Sequence, residues 1–304
     1  MTQALPKVES IIIPAAGLGT RFMPAAKAVP KEMLPIADTP TIQLIVEEAV
    51  AAGIKQVILI TGRNKESIVD HFDYAFELET TLRSRNKTAE ADRLKAIADQ
   101  VTVIAIRQKE PRGLGHAVLA AYPVVGNRPA AVLLGDDLIF RTHAAQRPAI
   151  GQLMDASARV DGKGVIALMQ VPKDQIYMYG AAEGTFNAAN DPRLMKISAL
   201  VEKPPKGTEK TDQAVIGRYV LPATIWDALR ETRPGAGGEI QLTDALALLA
   251  RGEGLYGYAF EGRRIDAGDK VGFMEASLWY ALQRGDLKAP TRAMMERLLK
   301  EIPQ

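Results

Sequence analysis

Residues 11–36, IIIPAAGLGTRFMPAAKAVPKEMLPI, bring Gly17, Gly19, Arg21, Lys27 and Lys31 into one loop that leaves an apolar run. Glycines let backbone N–H groups approach an anion with no Cβ in the way. Arg21 would grip phosphate oxygens as a planar fork, and the two lysines would act as point charges. The residue types therefore suit phosphate binding; the alternative is a tight turn with solvated cations. Two familiar phosphate loops do not fit. GLGTRF lacks the third glycine of a dinucleotide fingerprint, and neither GxxxxGKS nor GxxxxGKT occurs.

Further positions with chemical potential follow apolar runs in the same way. In RQKEPRGLGHAV, residues 107–118, Gln108 offers both a donor and an acceptor, and the turn at Gly113 and Gly115 can present backbone groups to a planar base. The same glycines could simply shape a strand-to-helix turn, and His116 reads as a packing or hydrogen-bonding residue. LLGDDL sets Asp136 and Asp137 at a strand end, where carboxylates are costly to desolvate unless paired or metal-bound. Beside a phosphate loop the natural ion is Mg²⁺, which takes one or two carboxylates plus phosphate and water. Asp136 and Asp266, the latter in RRIDAGDKVGF, would meet that requirement; helix or turn capping is the alternative for the Asp136–Asp137 pair. In VEKPPKG, Glu202 suits sugar hydroxyls and Lys203 a phosphate, unless the two form only a surface ion pair.

The elements that must position these side chains read as strands over residues 8–13, 56–61, 101–106 and 130–134. Helices are expected over 41–52 and through Ile68, Val69, Phe72 and Phe76. Strands apolar at nearly every position belong in a sheet covered on both faces, so a doubly wound α/β core is expected. Ligands bind such sheets beyond the carboxyl ends of the strands, where the glycine loop lies. Residues 80–95, rich in charge, read as a solvated helix face. Beyond Gly164, short strands at 164–170, 195–201 and 214–220 alternate with turns. Helices return at 222–231, 243–251 and 270–284. Residues 292–301 read as an amphipathic helix with Met294, Met295, Leu298 and Leu299 on one side. We expect one domain over residues 1–304, with halves at about 8–150 and 151–304.

Composition narrows the function classes. The 304 residues are 47% hydrophobic and 24% charged, as in ordinary globular chains. Lys and Arg total 38 against 36 Asp and Glu, a net charge of +2, which gives no electrostatic case for a nucleic-acid binder. The absence of Cys removes disulfides, thiolate metal sites and cysteine nucleophiles together. No apolar run approaches the ~20 residues of a membrane span, and MTQALPKVES does not read as a secretory signal. A cytoplasmic protein with no membrane partner is the expectation.

In order and spacing, these motifs resemble the sugar-nucleotidyltransferase family from about residue 11 to residue 282. AAGLGTRFMPAAKAVPKEMLP is close to its signature, which in most members has Thr where Ala26 stands. HFDYAFELE, IRQ with GLGHAV, EKP, VIGRYVL and PGAGGEIQLTDA resemble the uridylyl branch more than the thymidylyl branch. The resemblance implies a GT-A-like, Rossmann-like three-layer α/β/α fold with a mostly parallel mixed sheet and a C-terminal helical elaboration. It implies Mg²⁺ dependence, a homodimer or homotetramer, and conversion of UTP plus α-D-glucose 1-phosphate to UDP-glucose and pyrophosphate. By the resemblance Gly17, Gly19 and Arg21 hold the triphosphate, Lys31 lies near the reacting phosphates, and Ala16, Gln108 and Gly113 meet uracil or its ribose. Gly180, Glu202 and Gly217 would contact glucose, and Lys203 its phosphate; Asp136 and Asp266 would hold Mg²⁺. Asp137 matches a position that varies among relatives and falls outside the metal set. Ile265-Asp266-Ala267-Gly268 departs mildly from the usual Asp-Cys or Asp-Ile pair. Other readings remain: a thymidylyltransferase, a non-catalytic regulatory relative, or a dinucleotide-dependent oxidoreductase. Regulatory relatives disrupt the Gly-Thr-Arg and Gly-Glu-Ile-Gln segments, both intact here, and the missing third glycine disfavours the oxidoreductase.

Overall fold

The structure is a computed structural model that describes residues 7–235 and 238–302. In chain order its strands are β1 (Ser10–Ala15), β2 (Pro35–Ile36), β3 (Thr39–Pro40), β4 (Gln56–Thr61), β5 (Thr102–Arg107), β6 (Ala130–Leu133) and β7 (Asp137–Phe140). They continue with β8 (Gly164–Gln170), β9 (Gly180–Phe186), β10 (Leu194–Glu202), β11 (Gln213–Leu221), β12 (Leu255–Ala259) and β13 (Arg263–Asp266). Nine of them form one sheet in the order β5-β4-β1-β6-β11-β8-β12-β10-β9.

Successive side chains of a strand point to opposite faces, and β1 and β4 are apolar on both. Ile11, Ile13, Val57 and Leu59 enter one buried cluster, while Ile12, Ile58 and Ile60 enter the other. Helices Thr41–Ala51 and Ala149–Arg159 cover the first face with Ile42, Ile45, Ile150 and Leu153. Helices Leu114–Leu119, Ile225–Glu231 and Leu242–Arg251 cover the second with Val118, Trp226 and Leu246.

The expected mostly parallel sheet is corrected to an evenly mixed one. Pairs among β5, β4, β1 and β6 are parallel, as is β8 with β12, but β11 runs antiparallel to β6 and β8, and β10 antiparallel to β12 and β9. The connections dictate this: a parallel pair needs a crossover of about a dozen residues or more, and β9 reaches β10 through a much shorter turn. The single helix expected through Phe76 is two, Glu66–Asp70 and Phe76–Ser84. Phe72 packs into the core whereas Phe76 is 78% exposed, so the chain turns outward between them. The charged stretch 80–95 also divides, at Asn86 in the left-handed region (φ 59°), before helix Thr88–Asp99. The terminal helix Lys288–Glu301 begins earlier than expected and buries no residue; its Leu299 is 81% exposed. Among the described residues no helix is long and apolar enough to cross a membrane.

One small ladder matters most for the site. β7 and β13 pair antiparallel off the main sheet, with Asp137 opposite Asp266, and the Ala267 N–H donates to the Asp136 carbonyl at 2.8 Å. This brings together two acidic segments that lie some 130 residues apart in the sequence.

Candidate active site

Two neighbouring concavities open where the strands end. The first, about 360 Å³, is walled by the glycine loop after β1 and by Arg63, Asn64 and Lys65 after β4. The second, about 340 Å³, collects Arg21, Asp136, Asp137, Gly180, Glu202, Lys203, Gly217, Arg264 and Asp266. A larger hollow elsewhere, beside His71 and Arg284, contains none of the expected site residues.

The glycine loop is folded tightly over three 3₁₀ turns, Thr20–Phe22, Ala25–Lys27 and Lys31–Met33. Gly19 has φ 67°, and a Cβ there would lie 3.1 Å from the Ala26 Cβ and 3.2 Å from the Lys31 Cβ. A Cβ on Gly17 would meet nothing within 4 Å, so its surroundings are open to a ligand. Ala16 follows β1 and Gln108 follows β5 at the same end of the sheet, with β4 between them: β1 and β4 pair through Ala15 and Thr61, and the Gln108 N–H donates to the Thr61 carbonyl. Gln108 Nε2 donates to His116 Nδ1 at 2.9 Å. Burial and the neighbouring Arg112 lower the His116 pKa, in keeping with that acceptor role.

Asp136 is the electrostatic centre. Its Oδ2 lies 3.0 Å from Lys31 Nζ and 3.6 Å from Arg21 Nη2. Burial pushes its carboxyl upward, but Lys31 and Arg21 outweigh that and hold it below the usual range. The Arg21 guanidinium lies over Gly268, whose N–H donates to Asp266 Oδ1 at 2.9 Å. The loop, the β6 end and the β13 end thus meet at one point, with Asp136 and Asp266 both facing the second concavity. Among the described residues no group of three or more His, Cys, Asp or Glu could hold a metal; a site here would rest on two carboxylates and ligand oxygens.

Glu202 ends β10 and Lys203 follows it. Glu202 Oε2 accepts from Thr243 Oγ1 at 2.6 Å, and its Oε1 is 4.0 Å from Lys203 Nζ. Lys203 adopts φ 44°, a conformation that a non-glycine residue keeps only where its surroundings impose it. Its N–H is tied to the Tyr179 carbonyl at 3.0 Å, which turns a side chain that is 66% exposed toward the cleft rim. Gly180 lies against Glu202, whose Oε2 would sit 3.3 Å from an added Cβ.

Two expected glycine roles acquire a different physical reason. At Gly113 an added Cβ would come within 2.7 Å of the Ile240 carbonyl oxygen, and at Gly115 within 2.9 Å. The Gly115 N–H also donates to that carbonyl at 2.8 Å. These glycines admit the backbone of the Glu239–Gln241 segment. A Cβ on Gly217 would meet Asp137 Oδ2 at 2.6 Å and Leu134 Cβ at 2.7 Å.

Sequence reasoning missed a charge network beneath the cleft. Asp137, which falls outside the expected metal set, is buried: it accepts from the Gly217 N–H at 2.9 Å and from Arg264 Nε at 2.6 Å. Arg264 also reaches Asp266 Oδ2 at 2.9 Å. The fully buried Arg218 donates to the Asp137 carbonyl at 2.6 Å and to Glu48 at 2.8 Å. For Arg264 a signal existed, since residues i and i+2 of a strand share a face and RRID puts it two before Asp266. For Arg218 and Glu48, 170 residues apart, there was none.

The model of the family described as nucleotidyl transferase matches residues 10–282. The chain is 46% identical over 297 residues to the UTP–glucose-1-phosphate uridylyltransferase of Bacillus subtilis (strain 168), covering 98% of this chain and 99% of that one. Its fold resembles the UTP-bound UGPase from Acinetobacter baumannii with TM-score 0.87 and 38% identity, over 96% of this chain and all of that one. A UDP-glucose pyrophosphorylase solved with UDP-glucose aligns at TM-score 0.80 and 36% identity, over 91% of this chain and all of that one. With a family model spanning most of its length and relatives matched almost end to end, the chain belongs to the nucleotidyl transferase family.

Proposed function

We propose that the protein transfers a uridylyl group from UTP to α-D-glucose 1-phosphate, releasing pyrophosphate and UDP-glucose. The observation that carries this reading is the convergence of Lys31 and Arg21 on Asp136, between a cation-walled basin and a cleft edged by Glu202 and Lys203. The names of the relatives supply the nucleotide and the sugar.

A sugar phosphate oxygen is already an anionic nucleophile, so the reaction needs no general base and no covalent enzyme intermediate. Its barrier lies in bringing two anions together and in charge building on the leaving pyrophosphate. In our reading the backbone at Gly17 and Gly19 and the cations Arg21 and Lys31 hold the triphosphate, and Ala16, Gln108 and Gly113 meet the base or its ribose. Lys203 holds the sugar phosphate. Glu202, one oxygen steadied by Thr243, accepts from glucose hydroxyls beside Gly180 and Gly217. The all-oxygen donors Asp136 and Asp266 fit a hard divalent ion such as Mg²⁺. When bound, that ion supplies Lewis-acid stabilisation of phosphate charge. We read the frame as a GT-A-like three-layer domain, its nucleotide half at about 8–150 and its sugar half at about 151–304, working in the cytoplasm as a homodimer or homotetramer.

The test is pyrophosphate release with each nucleoside triphosphate against glucose 1-phosphate. UTP should exceed dTTP in kcat/KM by roughly tenfold or more, ~1.4 kcal/mol. Equal or better use of dTTP would move the protein to the thymidylyl reading.

A further inference from the structure

Beneath the phosphate basin lies an ion pair that the site above leaves unexplained. Glu32 is 2% exposed and Lys65 7%, and Lys65 Nζ reaches Glu32 Oε2 at 2.7 Å. Glu32 Oε1 has no hydrogen-bond partner among the described residues, so Lys65 is what fixes the direction of this carboxylate. The pair joins two segments that are adjacent only in the fold: the 3₁₀ turn Lys31–Met33 and the loop after β4. Those segments form the two walls of the basin. Glu32 also lies under Gly135, the residue before Asp136; an added Cβ there would sit 3.8 Å from Glu32 Cγ.

The geometry follows from adjacency. Lys31 and Glu32 are consecutive on one turn, and they point in opposite senses: Lys31 outward to Asp136 at 3.0 Å, Glu32 inward to Lys65. Anchoring Glu32 sets the rotation of the turn and therefore the aim of Lys31. The turn's own backbone bonds, Met33 N–H to the Pro30 carbonyl at 2.9 Å and Leu34 N–H to the Lys31 carbonyl at 3.2 Å, preserve its shape but do not orient it against the sheet. We infer that Glu32 and Lys65 are positioning residues for nucleotide binding: their buried pair aims Lys31 at the phosphates and holds the two walls of the basin in register. This inference rests on the uridylyltransferase reading for its kinetic consequences, and on geometry alone for its structural ones.

Removing one partner strands a buried charge, so Lys65→Met should melt early for reasons unrelated to positioning. The informative variant is Glu32→Met together with Lys65→Met, because replacing a buried pair by apolar side chains of similar volume usually preserves stability. Kinetics and hydrogen–deuterium exchange are read at a temperature where circular dichroism shows each variant folded. The double variant should raise KM for UTP at least fivefold and lower kcat, with KM for glucose 1-phosphate within twofold of wild type. Amides of residues 19–34 should exchange faster than in the wild type. Unchanged KM for UTP with unchanged exchange in that loop would overturn the inference and leave the pair a packing feature. A wild-type protein that releases no pyrophosphate from UTP and glucose 1-phosphate would instead overturn the activity reading. The exchange data would still decide whether the pair holds the loop.

Discussion

The basin and the cleft are built from the same kinds of charged residue, yet they treat charge in opposite ways. In the basin wall Lys27 and Arg63 are surface side chains with no ion-pair partner among the described residues, and no carboxylate lines the hollow. In the cleft the Asp carboxylates are already engaged: Asp136 by Lys31 and Arg21, Asp137 by Arg264 and the Gly217 N–H, Asp266 by Arg264 and the Gly268 N–H. The basin therefore presents a net positive field, which suits a polyanion bound through its charge. The cleft presents fixed, largely compensated dipoles, which suit a ligand held by its shape and hydroxyl pattern and cost little reorganisation when charge moves. Uncommitted cations mark where affinity comes from, and committed carboxylates mark where geometry is kept.

The adjacent residues Asp136 and Asp137 test this division most severely. Asp136→Asn keeps the shape and removes the charge at the centre, so kcat should fall on the order of a hundredfold with melting little changed. Asp137→Asn leaves Arg264 buried without its main counter-charge; a loss of about 3 kcal/mol corresponds to a melting drop of roughly 6 °C in a chain of this size. Measuring kcat, its Mg²⁺ dependence and thermal melting for both variants separates the roles. An Asp136→Asn enzyme that turns over normally and saturates with Mg²⁺ would end the metal assignment, and an Asp137→Asn protein with unchanged melting would end the division itself.

A smaller effect sharpens the sugar side. Glu202 has one oxygen engaged by Thr243 and the other facing the cleft, so Glu202→Gln should raise KM for glucose 1-phosphate roughly tenfold, about the strength of one charged hydrogen bond. UTP affinity by calorimetry should stay near that of the wild type. Loss of UTP affinity instead would move Glu202 to the nucleotide side of the comparison.

The smallest effect concerns pH and lies outside both hollows. Burial lowers the pKa of His71, whose Nε2 is 2.9 Å from Gln43 Oε1. The folded His71 thus stays neutral below its ordinary value of 6.5 while the unfolded chain takes up a proton. Its contribution to stability is present above pH 6.5 and is lost as pH falls from there through the lowered folded value. Melting temperature should decline across that window, and His71→Gln should remove part of the slope, on the order of 1 °C. Asp136, held below the usual carboxylate range, should contribute nothing in the same window. An undiminished slope in His71→Gln would return the effect to other titrating groups, those of the cleft included.

Much of the architecture was legible in the chain. The runs at 56–61 and 164–170 coincide with β4 and β8, because apolar β-branched residues at successive positions can be buried only in a sheet covered on both faces. The strands β2, β3, β7, β9, β12 and β13 were not anticipated. Glycines, charges and short length hide their period, and a strand such as GAAEGTF gains its stability from neighbours rather than from its own composition.

The sequence by itself determined the local features: the glycine loop with its cations, the buried strands that deliver it, and the carboxylates and the Glu202–Lys203 pair at strand ends. These follow from residue type and from periods of two or of 3.6, which act over a few positions. Only the tertiary structure decided which charges are spent on one another. Arg264 meets Asp137 across 127 positions, Arg218 meets Glu48 across 170, and Lys65 meets Glu32 across 33. It also decided that Gly113 and Gly115 make room for the Ile240 backbone. The physical reason is that ion-pair and contact energies depend on distance and burial in three dimensions, which the register of the sheet and the path of its connections set, and no local pattern encodes either.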